Sequence, residues 1–548
     1  MLKSQKYLNI LTGILLALAF PPMPFYFLSF IAFIPFLFVN EKFKDKNSGL
    51  GLSIYLTFMV YHTGTNWWIS SFQEQTDPFL MASGFALDVA HPLFFFIPIY
   101  IYRFIRRKLG FVFGLVSFPF IWTAFEWAHS LGEFSYPWLT VGNTQIYNIK
   151  WIQFIDITGV WGSSFLICSI NVMIFSILYK IYKMPKEDRL IGYIIRIPGM
   201  GLRISFIAIL FLAPIFYGTN QLKEFNHEKL ISENESLIAT VIQPNINPWE
   251  KWGSGSGSQV KLMMDIQDSV IKSSVKTNLS VWPETSILRL GKRINNDLNM
   301  SFIQMWTDRR ELSLLSGFIH DDEYGPWEKR QITARLRTYD STWYESFNAA
   351  VLVQPGFPAQ VYHKSKLTPF AERIPYVNHV SFLMDYIQWG VGISSWGLGS
   401  GADVVDLSYK LQNYKLGNII CIESIYPGFC RDFTKNGAQL LTLITNDAWY
   451  DFTPGPEQHF CIAQVRAIEN RRYIARSANS GVSGFISPTG EEVSRLAQYE
   501  KGALSEKIAF LDHQSFYVRY GDWFGFLVGT ISLLMFLISF FLRIYNAD

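Results

Sequence analysis

Three residues whose side chains suit acyl chemistry follow one another along this chain of 548 residues: a glutamate, a lysine and a cysteine. Glu284 lies in Val281-Trp282-Pro283-Glu284-Thr285, Lys364 in Tyr362-His363-Lys364-Ser365-Lys366-Leu367, and Cys421 in Ile420-Cys421-Ile422-Glu423. A thiol nucleophile needs a base to take its proton and a positive charge to stabilise the oxyanion. These residue types therefore predict acyl chemistry on Cys421, with Glu284 as the base and Lys364 as the cation.

Each of the three residues follows an apolar, β-rich run, so each is predicted at the end of a strand, where α/β sites form. Each also has a structural interpretation. Cys421 can be a buried core cysteine, the usual place of a free thiol. Glu284 can be an exposed loop residue and Lys364 a solvated surface lysine. Lys366 is a rival for the lysine role that spacing does not exclude.

The remaining cysteines are Cys168, Cys430 and Cys461, and the spacing contains no C-x-x-C and no metal-ligand pattern. We therefore expect no metal and no cofactor. Cys168 lies in an apolar run and is predicted to be core. A Cys421–Cys430 disulfide is a disfavoured alternative, because it would consume the candidate nucleophile. His459, on the same predicted helix as Cys461, is predicted to be a packing or capping residue.

The composition is that of a membrane protein, with 17% aromatic residues, 17% charged residues and a mean hydropathy of +0.16. A formal net charge of +3 is too small to favour a nucleic acid as a partner. A helix needs about 20 apolar residues to cross a bilayer, and on that basis we predict about eight spans. Their predicted limits are 7–22, 25–40, 50–71, 80–103, 110–130, 160–182, 203–219 and 522–543.

Basic residues follow every second predicted span, and the loops between them are nearly free of Lys and Arg. This alternation fits the positive-inside rule and predicts cytoplasmic termini. It divides the chain into residues 1–219 with seven spans, an extracytoplasmic domain over 220–520, and an eighth span within 521–548. The basic groups are Lys3 and Lys6, Lys42 to Lys46, Arg103 to Lys108, Lys180 to Arg189, and Arg543.

The predicted domain over 220–520 alternates apolar β-rich runs with helical stretches, which predicts an α/β layered fold. Strands are predicted over 236–243, 279–282, 312–319, 349–354, 418–422 and 440–446. Helices are predicted over 259–274, 426–436 and 458–475. The tract Gly253-Ser254-Gly255-Ser256-Gly257-Ser258 is flexible by composition, either as a native loop or as an engineered insertion.

The order Glu, Lys, Cys resembles the nitrilase superfamily. With several spans before the domain and one after it, the chain is similar over essentially its whole length to the apolipoprotein N-acyltransferase family. Further stretches that look like this family are Gln243-Pro244-Asn245, Lys364 to Glu372, Asn446-Asp447-Ala448-Trp449, Arg466 to Gly481, Tyr136-Pro137-Trp138-Leu139 and Gly142-Asn143-Thr144-Gln145. The resemblance implies a polytopic α-helical membrane domain of about eight spans plus an α/β nitrilase-like αββα sandwich domain.

The resemblance also implies roles for individual residues. It assigns the lysine role to Lys364 rather than Lys366. It also assigns an oxyanion contact to the backbone N–H of Ile422, although many members have an aromatic residue at that position. It implies supporting carboxylates at Glu372 and Glu423, a structural Asn348, a mobile-arm Trp252 that contacts lipid, and substrate-binding or gating positions at Trp449 and Trp138.

By resemblance, the reaction moves an acyl chain from a phospholipid through a Cys421 thioester to the N-terminal amine of an S-diacylglyceryl-cysteine lipoprotein. The implied location is the bacterial inner membrane, with the catalytic domain on the periplasmic side, and we expect a monomer. Two alternatives remain open. A membrane-anchored nitrilase-type amidase would need only one span, and a transporter or receptor with a soluble ligand domain is disfavoured by the lack of repeats among the spans.

Overall fold

A computed structural model describes residues 4–44, 50–70, 78–184, 199–247, 251, 255–272, 276–291, 294, 297–379, 396–450 and 452–542. The chain divides into two compact units. The first contains residues 1–70, 84–223 and 522–548, and the second contains residues 71–83 and 224–521. Trp252, part of the Gly-Ser tract and the tip of the predicted first helix of the α/β domain lie outside the described residues. We describe each unit by itself.

The helices run in chain order as follows: α1 (Ile10–Ala19), α2 (Ile34–Lys42), α3 (Gly51–Asn66), α4 (Pro78–Ala90), α5 (Phe96–His129), α6 (Ile149–Ile152), α7 (Ile155–Thr158), α8 (Val160–Lys183), α9 (Met200–Glu224), α10 (His227–Glu233), α11 (Ser256–Lys272), α12 (Leu298–Arg310), α13 (Pro427–Lys435), α14 (Gly455–Asn470), α15 (Phe516–Tyr520) and α16 (Trp523–Phe541). Short 3₁₀ helices include Tyr26–Phe30, His91–Phe95, Cys421–Ile425 and Asp447–Tyr450.

The strands are β1 (Ser236–Gln243), β2 (Leu279–Val281), β3 (Ile287–Gly291), β4 (Ser313–Glu323), β5 (Arg335–Arg337), β6 (Thr342–Gln354), β7 (Phe357–His363), β8 (Val404–Tyr409), β9 (Gln412–Ile420), β10 (Leu440–Thr445), β11 (Ile474–Ala478), β12 (Ser483–Ile486), β13 (Glu492–Leu496) and β14 (Gly502–Ala509).

Four helical stretches among the described residues are long and apolar enough to cross a membrane: Met81–His129, Val160–Lys183, Met200–Glu224 and Trp523–Phe541. The first has 49 residues, and a straight helix of that size would be about 74 Å long, about twice what one crossing needs. Its backbone breaks at Gly110, where φ is 84°, so it covers two predicted spans, 80–103 and 110–130. The three predicted spans before it contain shorter helices, and the count of eight stays a prediction.

Several charged and polar side chains inside the first unit are paired with one another. Arg106 donates two hydrogen bonds to the Glu41 carboxylate, at 2.6 and 2.8 Å. His91 lies between two other imidazoles, with a 2.5 Å N–N distance to His62 and a 2.7 Å distance to His129. Pairing of this kind is how ionisable groups are tolerated among apolar helices.

Two mixed β-sheets form the second unit. The eight-stranded sheet has the order β14-β1-β2-β4-β6-β5, with β3 also paired to β4 and β7 to β6. The six-stranded sheet has the order β13-β12-β11-β10-β9-β8. β1, β2 and β4 are mutually parallel, and so are β9, β10 and β11. The strands that precede Glu284 and Cys421, β2 and β9, are therefore central parallel strands, whose carboxyl ends are the usual position of α/β sites.

The sheets pack face to face because alternate strand residues are apolar on both sides. One core cluster joins Val241 and Leu315 of the first sheet to Ile419 and Leu443 of the second. A separate cluster covers the opposite face of the first sheet with α11 and α12, through residues such as Met263 and Ile303. Helices α13 and α14 contribute Phe433 and Phe460 to the joint cluster. This helix-sheet-sheet-helix layering is the predicted αββα arrangement.

Several predicted limits in this unit are wrong: β6 begins at Thr342 rather than 349, β4 ends at Glu323 rather than 319, and β9 begins at Gln412 rather than 418. Two further errors have a clear physical cause. The helix predicted over 458–475 ends at Asn470, because Arg471 is left-handed (φ 50°) and Ile474 begins a strand that pairs in parallel with Leu441. The strand predicted over 418–422 ends at Ile420, and Cys421 begins a 3₁₀ turn. Short strands such as β5 and β13 lack the apolar runs that sequence patterns detect, since they lie at sheet edges.

Candidate active site

Glu284 lies just beyond the carboxyl end of β2, in a tight turn that packs directly on β4. The following residue, Thr285, has a left-handed backbone (φ 52°). A Cβ added at Gly317 of β4 would lie 2.6 Å from the Glu284 Cα, so only glycine allows this approach. The Glu284 side chain is 6% exposed. The turn therefore presents a buried carboxylate at a fixed position.

Lys364 follows β7, and its ammonium lies between two carboxylates. The Nζ atom is 3.3 Å from Glu284 Oε1 and 2.9 Å from the Glu372 carboxylate. The residue is 1% exposed. Burial opposes the charge, but Glu372 and Glu284 outweigh it and raise the pKa of Lys364 above its ordinary value. Lys364 is therefore a permanent buried cation.

One asparagine side chain and one backbone amide fix the orientation of the Glu284 carboxylate. Asn348 Nδ2 donates to Glu284 Oε1 at 2.7 Å and to Glu372 Oε1 at 2.8 Å. The Asn446 backbone N–H donates to Glu284 Oε2 at 2.9 Å. Glu372 also accepts from the Thr368 N–H at 2.8 Å. Burial would raise the pKa of Glu372, but Lys364 and these donors lower it, which keeps this carboxylate charged.

Cys421 follows β9 with a left-handed backbone (φ 51°), an uncommon conformation for a residue with a Cβ. It is half-buried, and its thiol is free. Burial and the Glu284 carboxylate raise the pKa of the Cys421 thiol, and the Lys364 ammonium only partly offsets this rise. The thiol needs a base before it can attack.

The disfavoured Cys421–Cys430 disulfide is absent, since both residues are free cysteines. The Cys430 Sγ instead donates to the Glu423 carbonyl at 3.3 Å. Cys430 is fully buried, as are Cys168 and, within 2%, Cys461. Among the cysteines, Cys421 is therefore the one whose thiol is partly accessible.

Glu423 joins the cysteine turn to the lysine loop. Its Oε1 accepts from the Tyr362 hydroxyl at 2.8 Å and from the Ser365 N–H at 2.6 Å, and its Oε2 accepts from the Ile420 N–H at 2.8 Å. Burial raises the pKa of Glu423 to about 7, although these donors favour the carboxylate. Glu423 thus positions the backbone of the loop that carries Lys364 and of the turn that carries Cys421. It does not contact the Lys364 ammonium by a hydrogen bond.

One proton transfer conserves the charge of the site. The charges that act on the thiol are those of the carboxylates Glu284 and Asp447 and of the buried cations Lys364 and Arg476. Moving the thiol proton to Glu284 keeps the net charge constant, because one carboxylate is neutralised as one thiolate forms. Lys364 then faces the new negative charge instead of Glu284. The arrangement suits base-assisted attack by sulfur and stabilisation of an oxyanion.

Three other predicted site residues, Lys366, Ile422 and Trp449, lie among the described residues of the second unit. Lys366 lies over the rings of Tyr426 and Phe429, at 5.3 and 5.9 Å. Ile422 is the half-buried second residue of the 3₁₀ turn that Cys421 begins. Trp449 is half-buried in the 3₁₀ helix Asp447–Tyr450. Trp252 lies outside the described residues.

Trp138 belongs to the first unit and is a packing residue there. It is 4% exposed, stacks parallel to Tyr136 and lies 5.3 Å from the Trp68 ring centroid. A role in gating for Trp138, Trp449 or Trp252 stays a prediction. No cluster of His, Cys, Asp or Glu suited to a metal ion occurs among the described residues.

Sequence patterns missed a second lysine beside the base. Lys251 is 2% exposed, and its Nζ donates to the Glu284 carbonyl at 3.1 Å and to the Thr285 hydroxyl at 2.8 Å. Burial lowers the pKa of Lys251 to about 7, although the charge of Glu284 opposes this. No local pattern marks this residue, since it contacts a turn more than thirty positions later in the chain.

Comparisons with known proteins cover nearly the whole chain. A family model described as "Apolipoprotein N-acyltransferase N-terminal domain" matches residues 12–173, and one described as "Carbon-nitrogen hydrolase" matches residues 238–516. The apolipoprotein N-acyltransferase of Chlorobaculum tepidum is 30% identical, over 95% of this chain and 94% of that protein. That of Geobacter metallireducens is 25% identical, over 94% and 91%. A solved structure of yeast Nit3, from branch 10 of the nitrilase superfamily, covers 50% of this chain and 90% of its own, with 13% identity and a TM-score of 0.35.

Proposed function

Because this chain belongs to the apolipoprotein N-acyltransferase family, we propose that it transfers an acyl chain by a Glu284, Lys364 and Cys421 mechanism with a thioester intermediate. The acyltransferase activity follows from the family. The residue roles, the phospholipid donor and the lipoprotein acceptor carrying an S-diacylglyceryl-cysteine are the proposal. The observation that carries it is the buried Lys364 ammonium, held between Glu284 and Glu372 and acting on the Cys421 thiol.

In the first half-reaction Glu284 takes the proton of the Cys421 thiol, and sulfur attacks the ester carbonyl carbon of a phospholipid. The oxyanion that forms is stabilised by Lys364 Nζ and the Ile422 backbone N–H. The C–S bond forms, the ester C–O bond breaks, and Glu284 returns its proton to the departing lysophospholipid oxygen. A thioester on Cys421 remains.

In the second half-reaction the neutral α-amine of the acceptor attacks the thioester carbonyl carbon. The same two donors stabilise the second oxyanion. Glu284 takes a proton from the attacking nitrogen, the C–N bond forms and the C–S bond breaks. Glu284 then reprotonates the Cys421 thiolate, and the acceptor leaves as an amide.

The experiment that tests this function is intact-mass measurement of the full chain in detergent micelles or vesicles. Incubation with phospholipid alone should add one acyl group to the protein and release one lysophospholipid. A diacylglyceryl-cysteine peptide added next should remove the adduct and become N-acylated. An adduct lost to water as fast as to the peptide would indicate a hydrolase, and no adduct under any condition would exclude the thioester mechanism.

Glu284→Gln should slow thioester formation by roughly 10²- to 10⁴-fold, the usual contribution of a general base. The amide keeps the shape of the side chain but cannot accept the thiol proton. Time-resolved intact mass with phospholipid gives the rate. Glu233→Gln, an exposed glutamate of α10, is the matched control and should leave the rate unchanged. A Glu284→Gln rate within tenfold of the native rate would exclude Glu284 as the base.

We propose that the protein acts as a monomer in the bacterial inner membrane with the second unit on the periplasmic side. The apolar helices and the bacterial relatives support a membrane protein, and the alternation of basic loops supports this orientation. Phospholipids and lipid-modified proteins would then reach Cys421 without leaving the membrane.

The orientation predicts which added thiols an impermeant maleimide reaches in intact spheroplasts. In a Cys421→Ala background, Ser258→Cys and Leu411→Cys should be labelled before lysis, because both native residues are exposed in the second unit. Lys183→Cys, exposed at the end of α8, should be labelled only after lysis, since it lies in a predicted cytoplasmic loop. The opposite pattern at all three positions would reverse the topology.

A further inference from the structure

The backbone carbonyl of Cys421 has its own set of polar contacts, separate from those of the thiol. The Ser424 hydroxyl donates to it at 2.9 Å. His459 Nε2 lies 3.1 Å from the same oxygen and 2.6 Å from the Ser424 Oγ. A left-handed residue with a Cβ is strained and persists only where its surroundings hold it. These contacts hold the Cys421 carbonyl, in addition to the bond from the Ile420 N–H to Glu423.

A buried ion pair fixes the other side of the His459 ring. His459 Nδ1 lies 2.9 Å from Asp447 Oδ1, and Arg476 Nη2 lies 2.7 Å from Asp447 Oδ2. The Thr445 hydroxyl also donates to Asp447 Oδ1 at 2.8 Å. Burial would raise the pKa of Asp447, but His459 and Arg476 outweigh it and lower that pKa to about 2. The ring is therefore held against a permanent carboxylate.

The proton on Nε2 decides whether the ring supports the nucleophile. With Nε2–H, the ring donates toward the Cys421 carbonyl and the Ser424 oxygen, and the Ser424 hydroxyl stays free to donate to that carbonyl. Without it, the Nε2 lone pair faces the carbonyl oxygen, and the Ser424 hydroxyl must turn toward the ring. Asp447 Oδ1 is an acceptor 2.9 Å from Nδ1, and the Cys421 carbonyl is an acceptor 3.1 Å from Nε2. The ring meets both acceptors in the form that carries a proton on each nitrogen.

We infer that His459 is a positioning residue for the acyl transfer: its Nε2–H, together with the Ser424 hydroxyl, holds the Cys421 carbonyl and so fixes the left-handed turn that presents the thiol. Asp447 and Arg476 orient the ring. This role goes beyond the packing or capping role predicted for His459. The inference rests on the proposed function of Cys421 but concerns the thiol's geometry, which has a readout of its own.

Two substitutions distinguish the roles of the two ring nitrogens of His459. In His459→Gln the side-chain amide nitrogen reaches the position of Nε2, so the donor to the Cys421 carbonyl is kept. In His459→Asn the amide reaches only the position of Nδ1, so contact with Asp447 is kept and the donor to Cys421 is lost. The rate of thioester formation from phospholipid is measured for both, in the full chain.

We expect His459→Asn to slow thioester formation by roughly 10- to 100-fold, the effect of losing one or two hydrogen bonds at a reacting centre. His459→Gln should stay within about fivefold of the native rate. Alkylation of Cys421 by iodoacetamide, followed by peptide mass spectrometry, should show the same order without any lipid. His513→Gln, an exposed histidine of the same unit, is the control and should change neither rate.

Equal losses in the Gln and Asn variants, or a faster Asn variant, would overturn the inference, as would native rates in both. Melting temperatures in detergent show whether either variant is unfolded. If one is, Ser424→Ala takes its place and should slow both reactions by about tenfold, since it removes the second donor to the carbonyl. If the alkylation rates follow the expected order but the native protein forms no thioester, the positioning role stands and the proposed function is rejected.

Discussion

Cys421→Ala should give a protein that gains no acyl mass from phospholipid and transfers no acyl chain to a diacylglyceryl-cysteine peptide. The thiol is the only group in the cluster able to form the covalent intermediate, so turnover should fall by roughly 10⁴-fold or more. The cause is local, because Cys421 is half-buried and its removal leaves the charges of Lys364 and Glu372 paired. Intact mass and thin-layer separation of the lipid products measure the two effects.

The control for this substitution is Cys461→Ala, which removes a buried thiol from α14. It should cost about 1 kcal/mol of folding free energy at most and leave the acyl adduct in place. Acylation that persists in Cys421→Ala and disappears in Cys461→Ala would show that Cys461 of α14 is the nucleophile instead. Acylation that persists in both variants would show that the acyl group is not carried on either cysteine.

Lys364→Met should abolish measurable thioester formation for two reasons. Loss of a charged donor to the oxyanion costs about 3 to 4 kcal/mol of transition-state stabilisation, roughly 10²- to 10³-fold in rate. The substitution also leaves the Glu284 and Glu372 carboxylates buried without their cation, which typically costs about 3 to 5 kcal/mol of stability. Lys366→Met, which removes a cation over the rings of Tyr426 and Phe429, should cost far less in both respects.

The pH dependence of stability separates the two effects of Lys364→Met. In the native protein the pKa of Glu372 lies below its ordinary value of 4.5, and this stabilises the fold at pH values above 4.5. The stabilisation is lost as the pH falls through the folded-state pKa. Without Lys364 the pKa of a buried carboxylate rises, so stability should instead increase as the pH falls. Melting curves at a series of pH values measure this reversal of sign.

A double substitution separates the effect of Lys364→Met on the reaction rate from its effect on stability. Lys364→Met with Glu372→Gln removes one stranded carboxylate and should recover part of the lost stability while remaining inactive. Recovered activity in the double variant would mean that Lys364 matters only as a structural counter-ion. A larger loss for Lys366→Met than for Lys364→Met would show that the lysine role belongs two positions later.

Local sequence patterns selected the three candidate residues Glu284, Lys364 and Cys421, because each stands at the end of an apolar run in a separate motif. The positions of β1, β2 and β10 also follow from such runs, and β1 matches its predicted limits at Ser236 and Gln243. Side chains buried on both faces of a central strand produce continuous apolar stretches, which a linear pattern detects. The resemblance to a family then supplied Glu372, Glu423 and Asn348, which chemistry alone does not distinguish from other polar residues.

The tertiary structure decided what local patterns cannot contain. Arg471 ends a helix that periodicity extends to Ala475, since pairing of Ile474 with Leu441 competes with helical propensity and wins. The raised pKa of the Cys421 thiol depends on burial and on a carboxylate that is distant in sequence.

The sequence predicted the candidate reactive side chains, the segments apolar enough for a membrane and several of the strands that precede the candidates. It did so because residue type and periodicity are local properties of the chain. The contacts of Lys251 with the Glu284 turn and of His459 with the Cys421 carbonyl are visible only in the folded chain. Those contacts join separate elements, and the electrostatic energy of a buried group depends on distance and solvent exposure, which no linear spacing records.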